Sequence, residues 1–158
     1  MLAYLLLKYV HIVGAAVLLG TGGGIAFFML LAHRTGDTAV IAAVARIVVV
    51  ADFAFTASAV VVQPITGALL IWYLGYSIWD CWIVLSILLY LITGALWTPV
   101  VWMQMRMRDL ATEAVQMGKA LPQEYHWLFR TWFAFGVPAF GSVLVIVWLM
   151  IARPQICF

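Results

Sequence analysis

The chain opens with an almost uninterrupted apolar run, residues 2–31, in which Lys8 and His11 are the only basic side chains. About 20 apolar residues suffice for a helix to cross the hydrocarbon core of a bilayer, which is roughly 30 Å thick. Charged or titratable groups inside such a helix are rare, and they usually face the interior of a bundle or a bound group. The run is too long for a signal peptide and lacks a small-residue cleavage site, so we expect it to be retained as a membrane helix.

Composition extends this conclusion to the whole chain. Of its 158 residues 67% are hydrophobic and only 9% are charged, and the mean hydropathy is +1.13. These values are outside the range of soluble domains and predict an integral membrane protein with little mass outside the bilayer. Three further apolar runs follow the first, at residues 40–74, 82–104 and 127–151. We therefore predict one all-α domain, a four-transmembrane-helix bundle, with a proline kink at Pro64 in its second span.

The polar segment between the third and fourth spans carries one apolar stripe. Its members recur at four- and three-residue steps: Met103, Met107, Leu110, Ala114, Met117 and Leu121. Such spacing predicts a short amphipathic helix between helices 3 and 4. This helix could extend the third span or lie separately on the membrane surface. Methionine stripes are usually packing surfaces, so we expect it to cover the cytoplasmic end of the bundle.

The basic residues predict an orientation. The first and third loops hold Arg34, Arg106, Arg108 and Lys119, whereas the second loop contains no Lys or Arg. Loops rich in Lys and Arg stay in the cytoplasm, so we expect both termini on the outer side of a bacterial inner membrane. Cys81 and Cys157 would then share the outer side, where a disulfide can form. Two unpaired cysteines is our expectation, and a disulfide is the alternative.

Lys8 and His11 are three residues apart and therefore share one helix face. That face continues with mostly small residues: Ala15, Leu18, Gly22 and Ile25. A histidine followed by a shallow groove leaves room for a flat group, and imidazole is the commonest proximal ligand of haem iron. We therefore predict haem b with His11 as its axial ligand. The alternative is a buried histidine that only bonds a carbonyl or hydroxyl group across the bundle.

Depth in the membrane predicts which side chains accompany His11. Since a helix rises 1.5 Å per residue, positions equally far from the outer end lie at one level. Counting inwards reaches the polar members of the other spans: Gln63, Tyr90, Thr93 and Ser142. We expect these to line the haem pocket, with Lys8 contacting a propionate as a point charge. No second histidine reaches this level, so the iron would be five-coordinate or take an unusual sixth ligand.

A second polar layer is predicted at the cytoplasmic end. It consists of His33, Arg46, Asp52, His126 and Arg130. A charge in hydrocarbon needs a partner, so an ion pair between Asp52 and Arg130 is expected. His33 and His126 flank this layer, as exposed interfacial histidines or as a second pair of ligands.

Other classes of function find little support. Residues 20–24 (GTGGG) lack the Lys-Ser/Thr end of a phosphate loop and lie inside a membrane span. We find no catalytic triad, no cluster of carboxylates and no surface for nucleic acid. A homo-oligomer packed through the glycine-rich face stays open. So do two other functions: a structural or assembly subunit, and a haem-free copper-handling or transport-related protein. In the latter the soft ligands would be Met29, Met103, Met105 and Met107.

Several short motifs carry a resemblance to known families. Residues 8–13 (KYVHIV), residues 63–67 (QPITG) and the segment from Arg130 through Pro138 to Arg153-Pro154 resemble the bacterial integral-membrane protoporphyrinogen oxidases and the copper-resistance D-like superfamily. Nearly the whole chain resembles the uncharacterised membrane family called domain of unknown function 2269. The resemblance implies that His11 is a haem ligand. It also implies electron transfer, or oxidation of a lipophilic or tetrapyrrole substrate, with a quinone or a redox protein as partner.

Two departures bear on oxidase activity. The oxidases carry a lysine four residues after the tryptophan that opens their third helix, and here Trp82 is followed at that distance by Ser86. Their asparagine-glutamate pair before the last-helix proline is replaced by Phe135-Gly136. Haem binding therefore transfers to this chain better than the oxidase reaction does.

Overall fold

Four long helices make up nearly all of the computed structural model, which describes residues 1–154. The helical segments are α1 (Leu2–Thr35), α2 (Thr38–Ala51), α3 (Ala57–Leu74), α4 (Cys81–Gln116) and α5 (Gln123–Ala152). A π-helical turn, Asp52–Thr56, joins α2 to α3 without a break. When α2 and α3 are counted as one continuous helix, the structure has four helices, and each is long and apolar enough to cross a membrane. The predicted all-α fold with four transmembrane helices is confirmed, and the described residues contain no strand.

The two ends of the bundle differ in charge. At one end, which we call the terminal end, Tyr4 stacks on Tyr73 with ring centroids 5.8 Å apart, and Arg153 donates a hydrogen bond to the hydroxyl of Tyr76. At the other end lie the turn between α1 and α2 and the connection between α4 and α5. Six of the eight basic residues belong to this basic end: Arg34, Arg46, Arg106, Arg108, Lys119 and Arg130.

The turn at the basic end follows from two residues. Gly36 adopts a φ of 67°, which ends α1 and which side chains disfavour. The carboxylate of Asp37 then accepts hydrogen bonds from the backbone N–H groups of Ala39 and Val40, at 2.8 and 3.2 Å. These bonds satisfy donors that the first turn of a helix otherwise leaves free. The chain therefore reverses here within two residues.

The amphipathic segment after the third span is an extension of α4. With 36 residues, α4 is about 54 Å long, whereas the hydrocarbon core measures about 30 Å. Residues 106–116 belong to this helix, so no separate surface helix forms. Met107, Leu110 and Ala114 of the predicted stripe are buried and pack over the basic end. Met117, just beyond the helix, is 63% exposed.

Buried side chains concentrate towards the basic end. The members of this core include Met29, Ile41, Met107, Tyr125, Leu128 and Trp132. Towards the terminal end, large apolar side chains such as Leu5, Ile12 and Leu91 are more than half exposed. Outward-facing apolar surface is favourable for a helix that lipid surrounds, so this distribution fits a membrane-embedded bundle. Because fewer apolar side chains are buried in the terminal half, hydrogen bonds between polar groups contribute more to the contacts between helices there.

Pro64 and Cys81 were both singled out in the sequence, and the structure shows where each of them lies. Pro64 lies within α3, which continues through it to Leu74. Cys81, the first residue of α4, is not a free thiol. The expectation of an unpaired cysteine is therefore wrong for Cys81. Cys157, the other cysteine of the alternative disulfide, lies outside the described residues.

Candidate functional site

His11 is fixed by a hydrogen bond from α1 to α3. Its Nδ1 lies 2.8 Å from Oγ1 of Thr66. The Thr66 hydroxyl points its own hydrogen at the carbonyl of Val62, one turn back, at 2.8 Å, so its oxygen is left to accept a hydrogen bond. This pattern assigns the proton of His11 to Nδ1. The lone pair of the neutral imidazole is therefore at Nε2, which can bind a metal ion.

A second hydrogen bond joins the same two helices. Gln63 is 8% exposed, and its Nε2 donates to the backbone carbonyl of His11 at 2.8 Å. Two glycines permit this close approach. A side-chain carbon added at Gly14 would lie 2.8 Å from Nε2 of Gln63, and one added at Gly67 would lie 3.4 Å from Cε1 of His11. The imidazole of His11 therefore packs directly against the backbone of α3 at Gly67.

The other residues predicted for the pocket are placed differently. The hydroxyl of Tyr90 donates to the backbone carbonyl of Val60 and so joins α4 to α3 near the level of Gln63. Thr93 donates to the carbonyl of Leu89 at 2.8 Å within its own helix. Ser142 likewise donates to Pro138 at 2.9 Å. The structure thus brings His11 and Gln63 together, and Thr93 and Ser142 make their hydrogen bonds elsewhere.

Lys8 and the small-residue face of α1 complete this comparison. The side chain of Lys8 is exposed, and its Nζ lies 5.8 Å from the ring centroid of Tyr4, so it remains accessible to an anionic group. The expectation of an open groove along α1 is wrong for the stretch that contains Gly22 and Gly23. A side-chain carbon at Gly22 or Gly23 would lie 3.7 Å from the ring of Phe140, because that ring of α5 covers this stretch.

Thr66 is the site residue that sequence reasoning missed. It is buried and lies three residues after Gln63, so the two share one face of α3. That spacing was visible in the QPITG segment. A threonine in a membrane helix usually bonds its own backbone, however, and sequence alone does not reveal which hydroxyl also accepts a proton from another helix.

Asp52 does not form the predicted ion pair with Arg130. The ion pairs among residues 1–154 are Arg106–Glu124 at 2.8 Å and Arg108–Asp109 at 2.7 Å. Asp52 is only 3% exposed, whereas Arg130 lies on an exposed face of α5. The prediction was wrong because similar depth does not make two helix faces point at each other.

Neutral donors from α4 hold Asp52 instead. The carboxamide of Gln104 is oriented so that both of its polar atoms form hydrogen bonds. The nitrogen donates to Oδ2 of Asp52 at 3.1 Å, and the oxygen accepts from Nε1 of Trp132 at 3.2 Å. Nε1 of Trp97 lies 3.5 Å from Oδ1. The carboxylate stands at the start of the π-helical turn, a feature frequent at functional sites. A chain of polar side chains therefore crosses the bundle from the π-helical turn through α4 to α5.

The other candidate metal ligands lie at the basic end. Within residues 1–154 no three His, Cys, Asp or Glu side chains form a group that could hold a metal ion. Met29, Met103 and Met107 are buried in the apolar core, which agrees with a packing role. His33 and His126 do come together, with ring centroids 5.7 Å apart.

A groove of about 460 Å³ lies between α4 and α5 at the terminal end. Its lining includes Trp79, Trp82, Leu88 and Leu149, and none of the predicted pocket residues contributes to it. The candidate haem ligand and this groove are therefore separate features.

Comparison with known proteins identifies the family of this chain. A family model described as "Predicted integral membrane protein (DUF2269)" matches residues 5–154. The chain belongs to this family. No curated protein and no solved structure matches it. Family membership and the four candidate spans agree that this DUF2269 chain is a multi-pass integral membrane protein.

Proposed function

We propose that this DUF2269 protein binds haem b, with His11 as an axial ligand, and acts in a redox process in the membrane. One observation carries the proposal: Nδ1 of His11 lies 2.8 Å from Oγ1 of Thr66, whose own hydrogen points at the carbonyl of Val62. This arrangement places the imidazole proton at Nδ1 and leaves the lone pair of Nε2 for a metal ion. Metal-binding histidines almost always donate their other ring N–H in this way.

The residues around His11 suit a haem in chemical terms. An imidazole with a hydrogen-bonded N–H is the usual proximal donor, and the absence of a side chain at Gly67 lets the ring of His11 pack close to α3. The other two histidines are on α1 and α5 at the basic end, so His11 would be the one histidine ligand at its level. The exposed ammonium of Lys8 is one turn nearer the terminal end, where it can meet a propionate.

Three residues near His11 each have a defined role in this proposal. Thr66 holds the imidazole in one tautomer and one orientation, which raises its basicity. Gln63 ties the backbone of His11 to α3, so the ring cannot shift along the helix. Tyr90 fixes α4 against α3 close by. Bound haem would supply one-electron chemistry, while the protein supplies binding, orientation and exclusion of water.

The biological setting is part of the same proposal. The motifs around His11 and Gln63 resemble those of the membrane protoporphyrinogen oxidases and the copper-resistance D-like superfamily. This supports electron transfer, or oxidation of a lipophilic or tetrapyrrole substrate, with a quinone or a redox protein as the acceptor. The basic residues support a bacterial inner membrane with both termini outside. Ser86, where the oxidases carry lysine, counts against transferring their full reaction.

A difference spectrum tests haem binding. The full chain is expressed with a haem precursor, purified in mild detergent, and its reduced-minus-oxidised absorption spectrum is recorded beside those of His11→Ala and His126→Ala. We expect b-type bands in the parent and in His126→Ala, and their loss in His11→Ala. Bands of equal size in all three proteins would refute His11 as the ligand. A parent that stays colourless with haem supplied would leave the structural alternative, in which His11 only joins α1 to α3.

A further inference from the structure

Three aromatic rings at the basic end form a triangle that haem binding at His11 does not use. The ring centroids of His33, Tyr125 and His126 are 5.6 to 5.8 Å apart on all three sides. Phe129 stacks on His33 with a centroid distance of 3.9 Å, which holds that ring in place. His33 is 22 residues after His11 on α1, so the two lie about 33 Å apart along the helix.

Two polar atoms of this triangle lack hydrogen-bond partners. They are Nδ1 of His33 and the hydroxyl oxygen of Tyr125, both of them buried, and no donor or acceptor within residues 1–154 reaches either atom. Tyr125 as a whole is 0% exposed. Buried polar groups are satisfied in the great majority of cases, so each exception calls for an explanation such as a missing ligand.

A cavity gives access to the two imidazoles. It has a volume of about 170 Å³ and is lined by His33 and His126 together with residues of the α1–α2 turn and the end of the α4–α5 connection. One water molecule occupies roughly 30 Å³ of liquid, so several small ligands fit. An ion bound by the imidazoles could therefore fill its remaining positions with water.

Spacing and charge indicate the kind of ligand. Two imidazoles that share one ion through bonds of about 2.0–2.1 Å have ring centroids roughly 5–6 Å apart, and the observed separation is 5.7 Å. The cavity wall includes Gly36 and Thr38, which flank the carboxylate of Asp37. That negative charge already occupies the N-terminus of α2, so an anion would be repelled there.

We propose that His33 and His126, with the hydroxyl of Tyr125, bind a divalent first-row transition-metal ion at the basic end. Imidazole nitrogen suits Zn²⁺, Ni²⁺ and Cu²⁺, and the phenol oxygen can serve as a third donor. The site is independent of haem at His11. Arg130 works against it, because it lies one turn after His126 and its positive charge reaches His33.

Cobalt is a suitable probe because its visible absorption reports the coordination of the ion. Co²⁺ is titrated into the full chain, purified in detergent without a polyhistidine tag, and Zn²⁺ is then added as a competitor. The variants are His33→Ala, His126→Ala, Tyr125→Phe and Arg130→Ala, with His11→Ala as the matched control. Thermal unfolding without metal identifies any variant that fails to fold, and His33→Gln and His126→Gln then replace the alanine variants.

We expect one Co²⁺ per chain, displaced by Zn²⁺, in the parent and in His11→Ala. Loss of either imidazole should weaken binding by more than the ~10- to 100-fold effect of an outer partner. Arg130→Ala should tighten binding, because a repelling charge is removed. Equal binding in the parent and in a His33→Ala/His126→Ala double variant would overturn the proposal. So would binding of inorganic phosphate that Arg130→Ala weakens, since that result identifies an anion site.

Discussion

His11 of α1 and Thr66 of α3 are joined by a hydrogen bond of 2.8 Å in which the imidazole Nδ1–H is the donor. The bond fixes the tautomer of the one histidine that lies in the terminal half of the bundle. It also makes the partner helix, rather than α1 alone, responsible for the orientation of the imidazole. Changes on α3 should therefore alter the behaviour of His11.

Thr66→Val tests this dependence. Valine keeps the shape of threonine but cannot accept the Nδ1 proton, so the ring loses its orienting partner. We expect the affinity for haem to fall about 10- to 100-fold, the usual effect of removing an outer-shell partner, while the protein still folds. Haem affinity is measured by titration followed through the Soret band. Thr93→Val is the matched control, because Thr93 bonds only its own helix, and equal losses in both variants would contradict the assignment.

Gly14→Ala tests the close approach of α1 and α3. The added methyl group would lie 2.8 Å from Nε2 of Gln63, so the carboxamide has to move off the carbonyl of His11. Overpacking of this kind usually costs about 1–3 kcal/mol, and we expect a lower thermal midpoint in detergent. Gly20→Ala is the control, since nothing lies within 4 Å of its added carbon. A midpoint for Gly14→Ala equal to that of Gly20→Ala would show that the helices can separate freely.

Gln104→Leu tests the polar chain through Asp52. The leucine removes the donor to Asp52 and the acceptor for Trp132 together, and each buried group left unsatisfied costs about 1–3 kcal/mol. We expect a clear loss of stability in chemical or thermal unfolding. Gln116→Leu, at the exposed end of α4, should change stability by no more than about 0.5 kcal/mol. The network is disproved if both variants unfold alike.

Met107 distinguishes packing from soft-metal binding. It is 0% exposed, so Met107→Ala should cost about 2–5 kcal/mol through the cavity it leaves. Met107→Leu conserves volume and should cost less than about 1.5 kcal/mol. Measured stabilities in this order support a core role for the thioether. A Met107→Leu protein that folds normally but loses bound Cu(I) would instead favour the copper-handling alternative.

The number of membrane-spanning helices could be predicted because the bilayer sets a minimum length for each apolar span. Each span needs a long apolar run, and residues 82–104 are readable as one without any knowledge of its neighbours. The extension of α4 was one of two alternatives, and the stripe through Met107 and Leu110 did not decide between them. In the structure the stripe packs over the basic end, and an ion pair between Arg106 and Glu124 joins the extension to α5.

The contacts between helices could not be predicted, because they depend on how each helix is rotated about its axis. Depth alone paired Asp52 with Arg130, but the carboxylate faces Gln104, and Arg130 points outwards. The π-helical turn at Asp52–Thr56 adds to this difficulty, since the wider turn changes the direction of every later side chain in α3. His11 and Gln63 were associated correctly in depth, and Thr66 escaped notice because its role appears only in three dimensions.

A haem titration of His11→Gly, with and without free imidazole, tests whether His11 is the haem ligand. Removing the side chain leaves a gap beside Gly67 and Thr66 that exogenous imidazole can enter to replace the missing ligand. We expect one haem per chain in the parent, little binding in His11→Gly, and recovery of the parent's Soret band when imidazole is added. Haem binding by His11→Gly that matches the parent without imidazole would contradict this expectation.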